Sequence, residues 1–467
     1  MDMRKTNKKL TKDQSQRVRK VTETTPYDTC SEALSSFGGL LPLVKFLDLI
    51  RFKDHFDTHF KGPERTPVIG NYRMILGLVT LLFVGFQRLG HFEYIRFDPM
   101  ICGILKISLL PVVSTFWRYL QSLNMHHCKQ LLFLQSALRK ESWALRGFRP
   151  SHITVDIDTT VSTVYGDIQG AHKGHNNNHR GKEALRPVLC VIAQTGEFLC
   201  GAQRKGKTIS SKEVSKHVSQ FKQLLPDFIK TVLVRADGEF MGSTCIETLE
   251  AEKMQFIIGN RRCAAQFPER GWYSHGKYEY NEVMYQPTGW KAPYRFVVMR
   301  ISKEEKGNRQ LPLLEEDRYM HRVFVTNLKS KPHKVITLYD GRANAENAIK
   351  EAQQEGIQAI PSKRYQSNSV FFQLVMLNYN LWHWMKAYFS FVSNQDAPQS
   401  QEIGDKPKDL SATTLRIVRL RLLFISAKLR YHESRDQVRY SMHDQRSEEL
   451  IYFMNHMKAV KDRRKIA

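Results

Sequence analysis

Apolar residues recur along this chain with two different periods, and the change between them divides it into regions. Between residues 31 and 148 the apolar positions follow helical spacing, as in ILKISLLPVVSTFWRYLQSL at residues 104–123. From residue 149 onward, short runs either alternate apolar with polar positions or are wholly apolar, which is typical of strands. Because helical stretches separate several of these runs, the pattern predicts an α/β fold after a helical amino-terminal region.

The first predicted strand, HITVDIDTT at residues 152–160, places its apolar and polar side chains on opposite faces. Two apolar runs follow at residues 187–193 and 196–204, joined by a Gln-Thr-Gly turn, so a three-stranded antiparallel meander is expected. A helix to about Leu225, the strand TVLVRADG, a second helix and the strand QFIIG come next. Residues 264–333 are again rich in strand patterns and contain the polar loop GNRQLPLLEEDR.

The stretch TLYDGRANAENAIKEAQQ, residues 337–354, changes from a strand pattern to a helix pattern. Val335, Ile336 and Leu338 predict a short strand, and Tyr339-Asp340-Gly341 predicts a turn. A helix is expected from Arg342, and a long apolar and aromatic helix over residues 365–392.

Two helices of the amino-terminal region carry specific expectations. One apolar helix is predicted from Arg73 to His91. A second begins after Leu110-Pro111 with Ser114 as its cap. This second helix is similar to the later half of a helix-turn-helix unit, although plain helix packing explains the same residues.

These patterns predict five regions. They are a basic flexible arm (1–30), a helical DNA-binding or packing domain (31–148), an α/β core in two segments (149–262 and 334–392), a β-rich insertion (263–333) and a linker with a basic carboxyl-terminal region (393–467).

Charge changes the picture of what this fold binds. The chain of 467 residues has 71 Lys and Arg against 46 Asp and Glu, a formal net charge of +25. Such an excess points to a polyanion, most simply nucleic acid. The longest apolar run, Met74 to Phe86, has 13 residues and is shorter than the ~20 of a membrane span, and no signal-peptide pattern opens the sequence. Seven scattered cysteines without a CxxC pair favour reduced thiols and a cytoplasmic location.

Three carboxylates stand out by position. Asp158 and Asp237 each end an apolar strand, and Glu346 follows Arg342 by one helical turn. Each has an ordinary explanation, as a turn former or a surface ion pair. If they converge, however, their oxygens suit Mg²⁺ or Mn²⁺, and two such ions can drive phosphoryl transfer on DNA.

Other residues leave alternatives open. Asp156 shares a strand face with Asp158 and is the alternative ligand, while Glu239 and Glu351 are interpreted as structural. The histidines of HKGHNNNHRG (172–181) favour a DNA-contacting loop over a zinc site. Trp272 and Trp290 lie among cations and are candidates for stacking on an unpaired base, or for packing in a small β unit.

The motifs together resemble those of bacterial insertion-sequence transposases of the DDE type. One subgroup of that family carries Tyr, two residues, Arg, three residues, Glu, six residues, Lys; Tyr339, Arg342 and Glu346 match this spacing, but Gln353 stands in place of the lysine, for which Lys350 is the nearest substitute. Asp158-Thr159-Thr160 and the segment RADGEF around Asp237 are similar to the family's two aspartate motifs.

The resemblance implies a ribonuclease H-like core, a mixed sheet flanked by helices. It implies catalytic, metal-binding roles for Asp158, Asp237 and Glu346, with two Mg²⁺ or Mn²⁺ ions, and DNA contacts by Tyr339, Arg342, Lys350 and, on a flipped base, Trp290. The implied reaction is cut-and-paste transposition through a hairpin, by a homodimer bound to the terminal inverted repeats and target DNA near the bacterial nucleoid. The alternatives are a metal-dependent nuclease with the same core and a catalytically silent DNA-binding protein.

Overall fold

The computed structural model describes residues 21–174, 179–207, 209, 211–260, 266–302, 319–395 and 409–466. Most of the predicted basic arm, the polar loop at residues 307–318, His175 and most of the linker after residue 393 therefore lie outside the described residues. Among the residues that are described, no helix has both the length and the apolar character needed to cross a bilayer.

The amino-terminal region is helical, as predicted. Its elements are β1 (Ala33–Ser35), α1 (Leu40–Leu49), α2 (Phe52–His59), α3 (Asn71–Phe83), α4 (Phe92–Ile95), α5 (Pro99–Leu105), α6 (Val113–Ser122) and α7 (Met125–Leu145). Two expectations were wrong. The apolar helix expected from Arg73 to His91 ends at Phe83, and α6 is preceded by Val112 without any side-chain cap, so Ser114 lies inside the helix.

The next segment forms the centre of a large sheet. Its elements are β2 (His152–Thr159), β3 (Ser162–Thr163), β4 (His172–Lys173), β5 (Glu183–Leu185), β6 (Val188–Ile192), β7 (Phe198–Ala202), α8 (Ser211–Val218), α9 (Phe221–Leu224), β8 (Thr231–Ala236), α10 (Ser243–Ala251) and β9 (Gln255–Asn260). The predicted meander is confirmed, because β2, β6 and β7 pair antiparallel in that order. β8 and β9 then add parallel to β2 on its other side. A first strand between an antiparallel hairpin on one side, β6 and β7, and two parallel strands on the other, β8 and β9, is the ribonuclease H-like arrangement.

The predicted β-rich segment does not form a separate unit. Its strands are β10 (Tyr273–His275), β11 (Tyr278–Tyr285), β12 (Tyr294–Ser302) and β13 (Tyr319–Thr326). β13 pairs antiparallel with β9, so all four strands extend the core sheet to nine strands in the order β10-β11-β12-β13-β9-β8-β2-β6-β7.

The last segment returns across the sheet and back to the amino-terminal region. It contains α11 (Pro332–Asp340), α12 (Ala343–Gln354), α13 (Tyr365–Gln395), α14 (Leu415–Leu422), β14 (Ala427–His432), β15 (Arg435–Tyr440) and α15 (Arg446–Ile466). The long helix expected at residues 365–392 is confirmed as α13. β14 pairs with β1, so the two terminal regions share a small sheet.

The short strand expected at residues 335–338 was wrong, because these residues belong to α11. Val335 and Ile336 are buried against the sheet, whereas Leu338 is exposed. Pro332 is at the start of the helix, where its missing N–H costs nothing. Three apolar residues within four positions fit a helix face as well as a strand, so the pattern could not separate the two.

Both faces of the sheet are covered. One face packs on α8, α9 and α10 and on Trp143 of α7. The other face packs on α11 near β9, β12 and β13, and on α13 near β6 and β7. The polar side of β2, which carries Asp156 and Asp158, belongs to this second face, because Ile153, Val155 and Ile157 point into the first.

Candidate active site

Asp158 and Asp237 lie side by side at the carboxyl ends of two central strands. β2 and β8 are parallel neighbours in which Ile157 is aligned with Ala236. The next residue of each strand is the aspartate, and adjacent strands are ~4.8 Å apart. The side chains of both therefore project from the same face at the same level of the sheet.

Glu346 is brought to this point by the corner between α11 and α12. Arg342 precedes α12, and Glu346 is in its first turn. Arg342 Nη2 lies 2.8 Å from Asp158 Oδ2, and Arg342 Nη1 lies 3.6 Å from Glu346 Oε1. Arg342 is itself buried and also donates to the carbonyl of Ile157. One guanidinium thus joins the strand aspartate to the helix glutamate.

The electrostatics show that negative charge is concentrated here. Burial raises the pKa of Asp158 above its ordinary value; Arg342 and the N–H of Thr159 oppose this rise, while Asp237 and Glu346 add to it. Burial works against the charge of Arg342, but Asp158, Tyr339 and Asp237 raise its pKa. The acidic side chains therefore repel one another, and Arg342 only partly balances them.

Tyr339 stands at the end of α11 beside the acids. Its ring packs on Phe324 of β13, with 4.5 Å between centroids. Burial raises the pKa of its hydroxyl, and Asp237 and Asp158 contribute in the same direction against Arg342. The hydroxyl passes over Gly259 of β9, where an added Cβ would come within 3.3 Å of it.

Asp156 forms an ion pair with Arg235, which the sequence analysis did not predict. Its carboxylate is fully buried and receives two hydrogen bonds from Arg235 of β8, at 2.6 and 2.7 Å. Arg235 also donates to the carbonyl of Leu338, which fixes the end of α11 to the sheet. Gly341 permits this approach, because a Cβ there would lie 2.7 Å from Arg235 Nη1. Asp156 thus supports the corner through Arg235, and both of its oxygens accept from that guanidinium.

Strong hydrogen bonds anchor α12 beyond Glu346. Gln353, which replaces the family lysine, donates to the hydroxyl of Thr160 at 2.8 Å, and Lys350 is exposed on the helix. Glu351 accepts from the backbone N–H of Leu415 at 2.7 Å. The buried carboxylate of Glu355 pairs with Arg419 of α14.

Glu239 is engaged as the structural interpretation expects. Its carboxylate lies 2.9 Å from Arg186 Nη2 and accepts from the hydroxyl of Thr159 at 3.2 Å. It therefore supports the strand end next to Asp158.

The two tryptophans are not brought to the carboxylates. Trp290 lies between β11 and β12, packed edge-on against Tyr294. Tyr294 is at the end of the sheet where the parallel strands begin, opposite the end with Asp158. The ring of Trp272 is covered by the guanidinium of Arg300 at 3.8 Å. The base-stacking role assigned to Trp290 stays a prediction that its position does not support.

The donor set fits a hard divalent cation, because three carboxylates lie near the ends of two neighbouring strands, with Arg342 between two of them. Within the described ranges, no three His, Cys, Asp or Glu side chains already form a metal cluster. The Glu346 side chain is 54% exposed and free to turn toward the aspartates. Asp158, Asp237 and Glu346 are therefore neighbours that a cation would have to draw together.

Comparison with known proteins identifies the family. The model of the transposase DDE domain group 1 matches residues 27–462. No curated protein sequence matches the chain. Among solved structures, the piggyBac transposase synaptic complex with hairpin DNA aligns at 11% identity over 84% of this chain and 82% of that chain, with a TM-score of 0.40. The Mos1 transposase paired-end complex aligns at 12% identity over 44% and 64%, with a TM-score of 0.17.

The family model spans nearly all of the described structure, including the strands with Asp158 and Asp237 and the helix with Glu346. The structural alignments are too distant to add to it. On the strength of the sequence match, the chain belongs to the transposase DDE domain group 1 family.

Proposed function

We propose that this protein is an insertion-sequence transposase that cuts DNA at the terminal inverted repeats of its element and joins the ends to target DNA. The observation that carries the proposal is the bridge by Arg342 between Asp158 and Glu346, with Asp237 beside Asp158. It supports a shared role for three acids that are far apart in sequence. The family match supports the transposase part, and the finer steps are inferred from the residues.

In this proposal Asp158, Asp237 and Glu346 hold divalent cations, Mg²⁺ or Mn²⁺, as DDE transposases generally do. When bound, such ions activate the attacking hydroxyl and stabilise the leaving oxygen of the phosphodiester. Arg342 and Tyr339 border the carboxylates and bind the phosphate next to the cleaved bond. Lys350, exposed one turn after Glu346, contacts the same strand further along.

The net charge of +25 supplies the general attraction for DNA. The reaction is cut-and-paste with a hairpin intermediate, carried out by a homodimer on paired ends in the bacterial cytoplasm. The nine-stranded sheet places the β10–β13 strands beside the catalytic strands, where they widen the surface that faces DNA.

The test uses inverted repeats found on either side of the coding region. Labelled duplexes ending in these repeats are incubated with the purified protein, Mg²⁺ and a supercoiled target plasmid, with a chelator in the control. We expect nicks at the repeat ends, hairpin ends and joined products, all absent with the chelator. Cleavage without any joined product would instead indicate a nuclease, and binding without cleavage a silent DNA-binding protein.

A further inference from the structure

A second group of functional side chains lies at the opposite end of the helix that delivers Tyr339. α11 crosses the sheet face that carries Asp158 and Asp237, packing on β11 and β12. Its last turn, with Tyr339, lies over β13 and β9, whereas its first turn lies beside the β10–β11 hairpin. At 1.5 Å per residue, its nine residues separate the two ends by roughly 13 Å.

Two histidines are stacked at this first turn. The rings of His275 and His333 have centroids 4.3 Å apart and an interplanar angle of 26°. The hydroxyl of Tyr273 accepts the backbone N–H of His333 at 3.3 Å and lies 3.1 Å from His333 Nδ1. Having accepted one hydrogen, this hydroxyl can donate its own to Nδ1, which keeps the proton of the neutral imidazole on Nε2. The ring of His333 is thus held in one orientation.

Positive charge surrounds the histidine pair. Lys331 directly precedes α11, Lys334 is in its first turn, and Lys277 is in the turn between β10 and β11; all three are exposed. In the part of the chain that the structure describes, none of these lysines forms an ion pair with a carboxylate. The titratable side chains next to the pair are Tyr273, Lys277, Tyr278, Tyr280, Lys331 and Lys334. The acids of the same elements, Glu279, Glu282 and Asp340, pair with Arg300, Arg295 and Arg322.

This charge acts on His333. Removal from water lowers the pKa of His333, and His275, Lys334 and Lys331 lower it further. Protonation of a stacked imidazole among lysines is costly, because like charges repel. An anion bound beside the pair would offset that repulsion, and it would raise the pKa of His333.

We propose that this cluster, made of Tyr273, His275, Lys331, His333 and Lys334, binds a backbone phosphate of the DNA strand held at Asp158 and Asp237. In the sheet, the β10–β11 hairpin lies four to six strand positions from β8 and β2, which is roughly 24 Å at ~4.8 Å per strand. Phosphates of one strand in a duplex follow each other every ~3.4 Å along the axis, so the site corresponds to about seven nucleotides from the cleaved bond. The inference rests on the proposed function for the identity of the strand. Binding favours the protonated form of His333, so affinity increases as the pH falls.

The experiment measures DNA binding without metal, so that cleavage does not interfere. A labelled duplex from the inverted repeat is titrated with the full-length protein, and affinity is read by fluorescence anisotropy at several salt concentrations. The variants are Lys331→Gln with Lys334→Gln, and His275→Gln with His333→Gln. The matched control is Lys230→Gln, an exposed lysine at the opposite end of the sheet.

We expect the double lysine variant to bind DNA about three- to tenfold more weakly than the wild type. The slope of log affinity against log salt concentration should become shallower by about 1 to 2, while the affinity and slope of the control variant stay near those of the wild type. The wild type should gain more affinity than the histidine variant between about pH 7.5 and about pH 5.5. A single neutral methylphosphonate about seven nucleotides from the cleavage position, located by moving the substitution along the strand, should weaken the wild type but not the lysine variant.

Equal losses in the control variant, or methylphosphonate effects that are the same in wild type and lysine variant at every position, would overturn the phosphate site. Displacement of the DNA by inorganic phosphate at equimolar concentration would also overturn it, because the cluster would then bind free phosphate and not a phosphate of the DNA backbone. The lysines are exposed, and circular dichroism verifies folding of each variant. The protein could fail to cleave DNA with Mg²⁺ while the methylphosphonate still weakens the wild type and not the lysine variant. That result would count against the proposed function alone.

Discussion

The two ends of the central sheet use charged side chains differently. At the end where β2 and β8 finish, Arg342 lies between Asp158 and the exposed Glu346, and Arg235 pairs with the buried Asp156. At the other end, the fully buried pair of Arg139 and Glu197 is closed by the indole N–H groups of Trp143 and Trp384, and Lys291 and Glu247 form an exposed pair at 2.7 Å. Charges that are removed from water are costly, and they are kept where they hold or position other groups. The comparison separates an end where one guanidinium is shared between two carboxylates from an end where each of these carboxylates has its own cation.

Removing a single carboxylate gives the largest contrast between the ends. Asp158→Ala, Asp237→Ala and Glu346→Ala should each lower metal-dependent cleavage at least about a hundredfold, because several kcal/mol of metal-based stabilisation is lost. Glu247→Ala, at the other end, should cleave like the wild type. Single-turnover nicking of a repeat-end duplex measures both, with anisotropy as the check on DNA binding. Normal cleavage by any of the three variants would remove that residue from the site.

The buried pair should differ sharply from an exposed pair in stability. Arg235→Met leaves the Asp156 carboxylate buried without its partner, which costs about 3–5 kcal/mol of unfolding free energy. Arg322→Met breaks the exposed pair with Asp340 and should cost about 0–1 kcal/mol. Urea unfolding of the two variants gives the comparison. Similar values for both would mean that Asp156 is not isolated from water.

Metal affinity should depend on pH through Asp158. Its pKa is raised by burial and by Asp237 and Glu346, so the carboxylate takes up a proton at a higher pH than an ordinary aspartate. A divalent cation binds the ionised form, and its affinity should therefore fall as the pH is lowered through that raised pKa. Calorimetric Mn²⁺ titrations over a pH series test this. Glu346→Gln removes one of the charges that raise the pKa, and it should shift the midpoint to lower pH.

The smallest effect is expected at Trp290. Because this side chain lies at the end of the sheet away from Asp158, Trp290→Ala should change first-strand nicking and hairpin formation by less than about twofold each. Quenched time courses of the two steps provide the measurement. A selective loss of the hairpin step would restore the base-stacking role to Trp290.

The order of apolar and polar residues predicted the elements that are formed by residues close together in sequence. The alternation in β2, the apolar strands and the length of α13 were evident, and so were the aspartates at the strand ends. Pairing between distant strands leaves no local signal, and so the β-rich segment was expected as a separate unit, not as an extension of the core sheet.

The details of the site needed the structure for the same reason. Arg235 looked like one polar residue in an apolar strand, and only its position opposite Asp156 explains it. The interaction of Arg342 with Asp158 joins residues 158 and 342, which no spacing rule connects. The alternation of Asp156 with Asp158 did contain a usable signal, since an aspartate in the middle of a buried strand requires a cation across from it.

The ties between α12 and α14 have a practical consequence for dissecting the protein. A fragment that stops before residue 409 would lack Arg419, which leaves the buried Glu355 without its ion-pair partner. It would also lack the Leu415 amide, so Glu351 would keep only its contacts with Tyr379 and His383. The helix that presents Glu346, α12, would then lose contacts that hold it in position, although none of the three proposed metal ligands had been deleted. A truncated or chimeric protein made to locate DNA contacts in the carboxyl-terminal segment would therefore stop cutting because α12 is no longer supported. Point substitutions on the surface of that segment are the sounder approach.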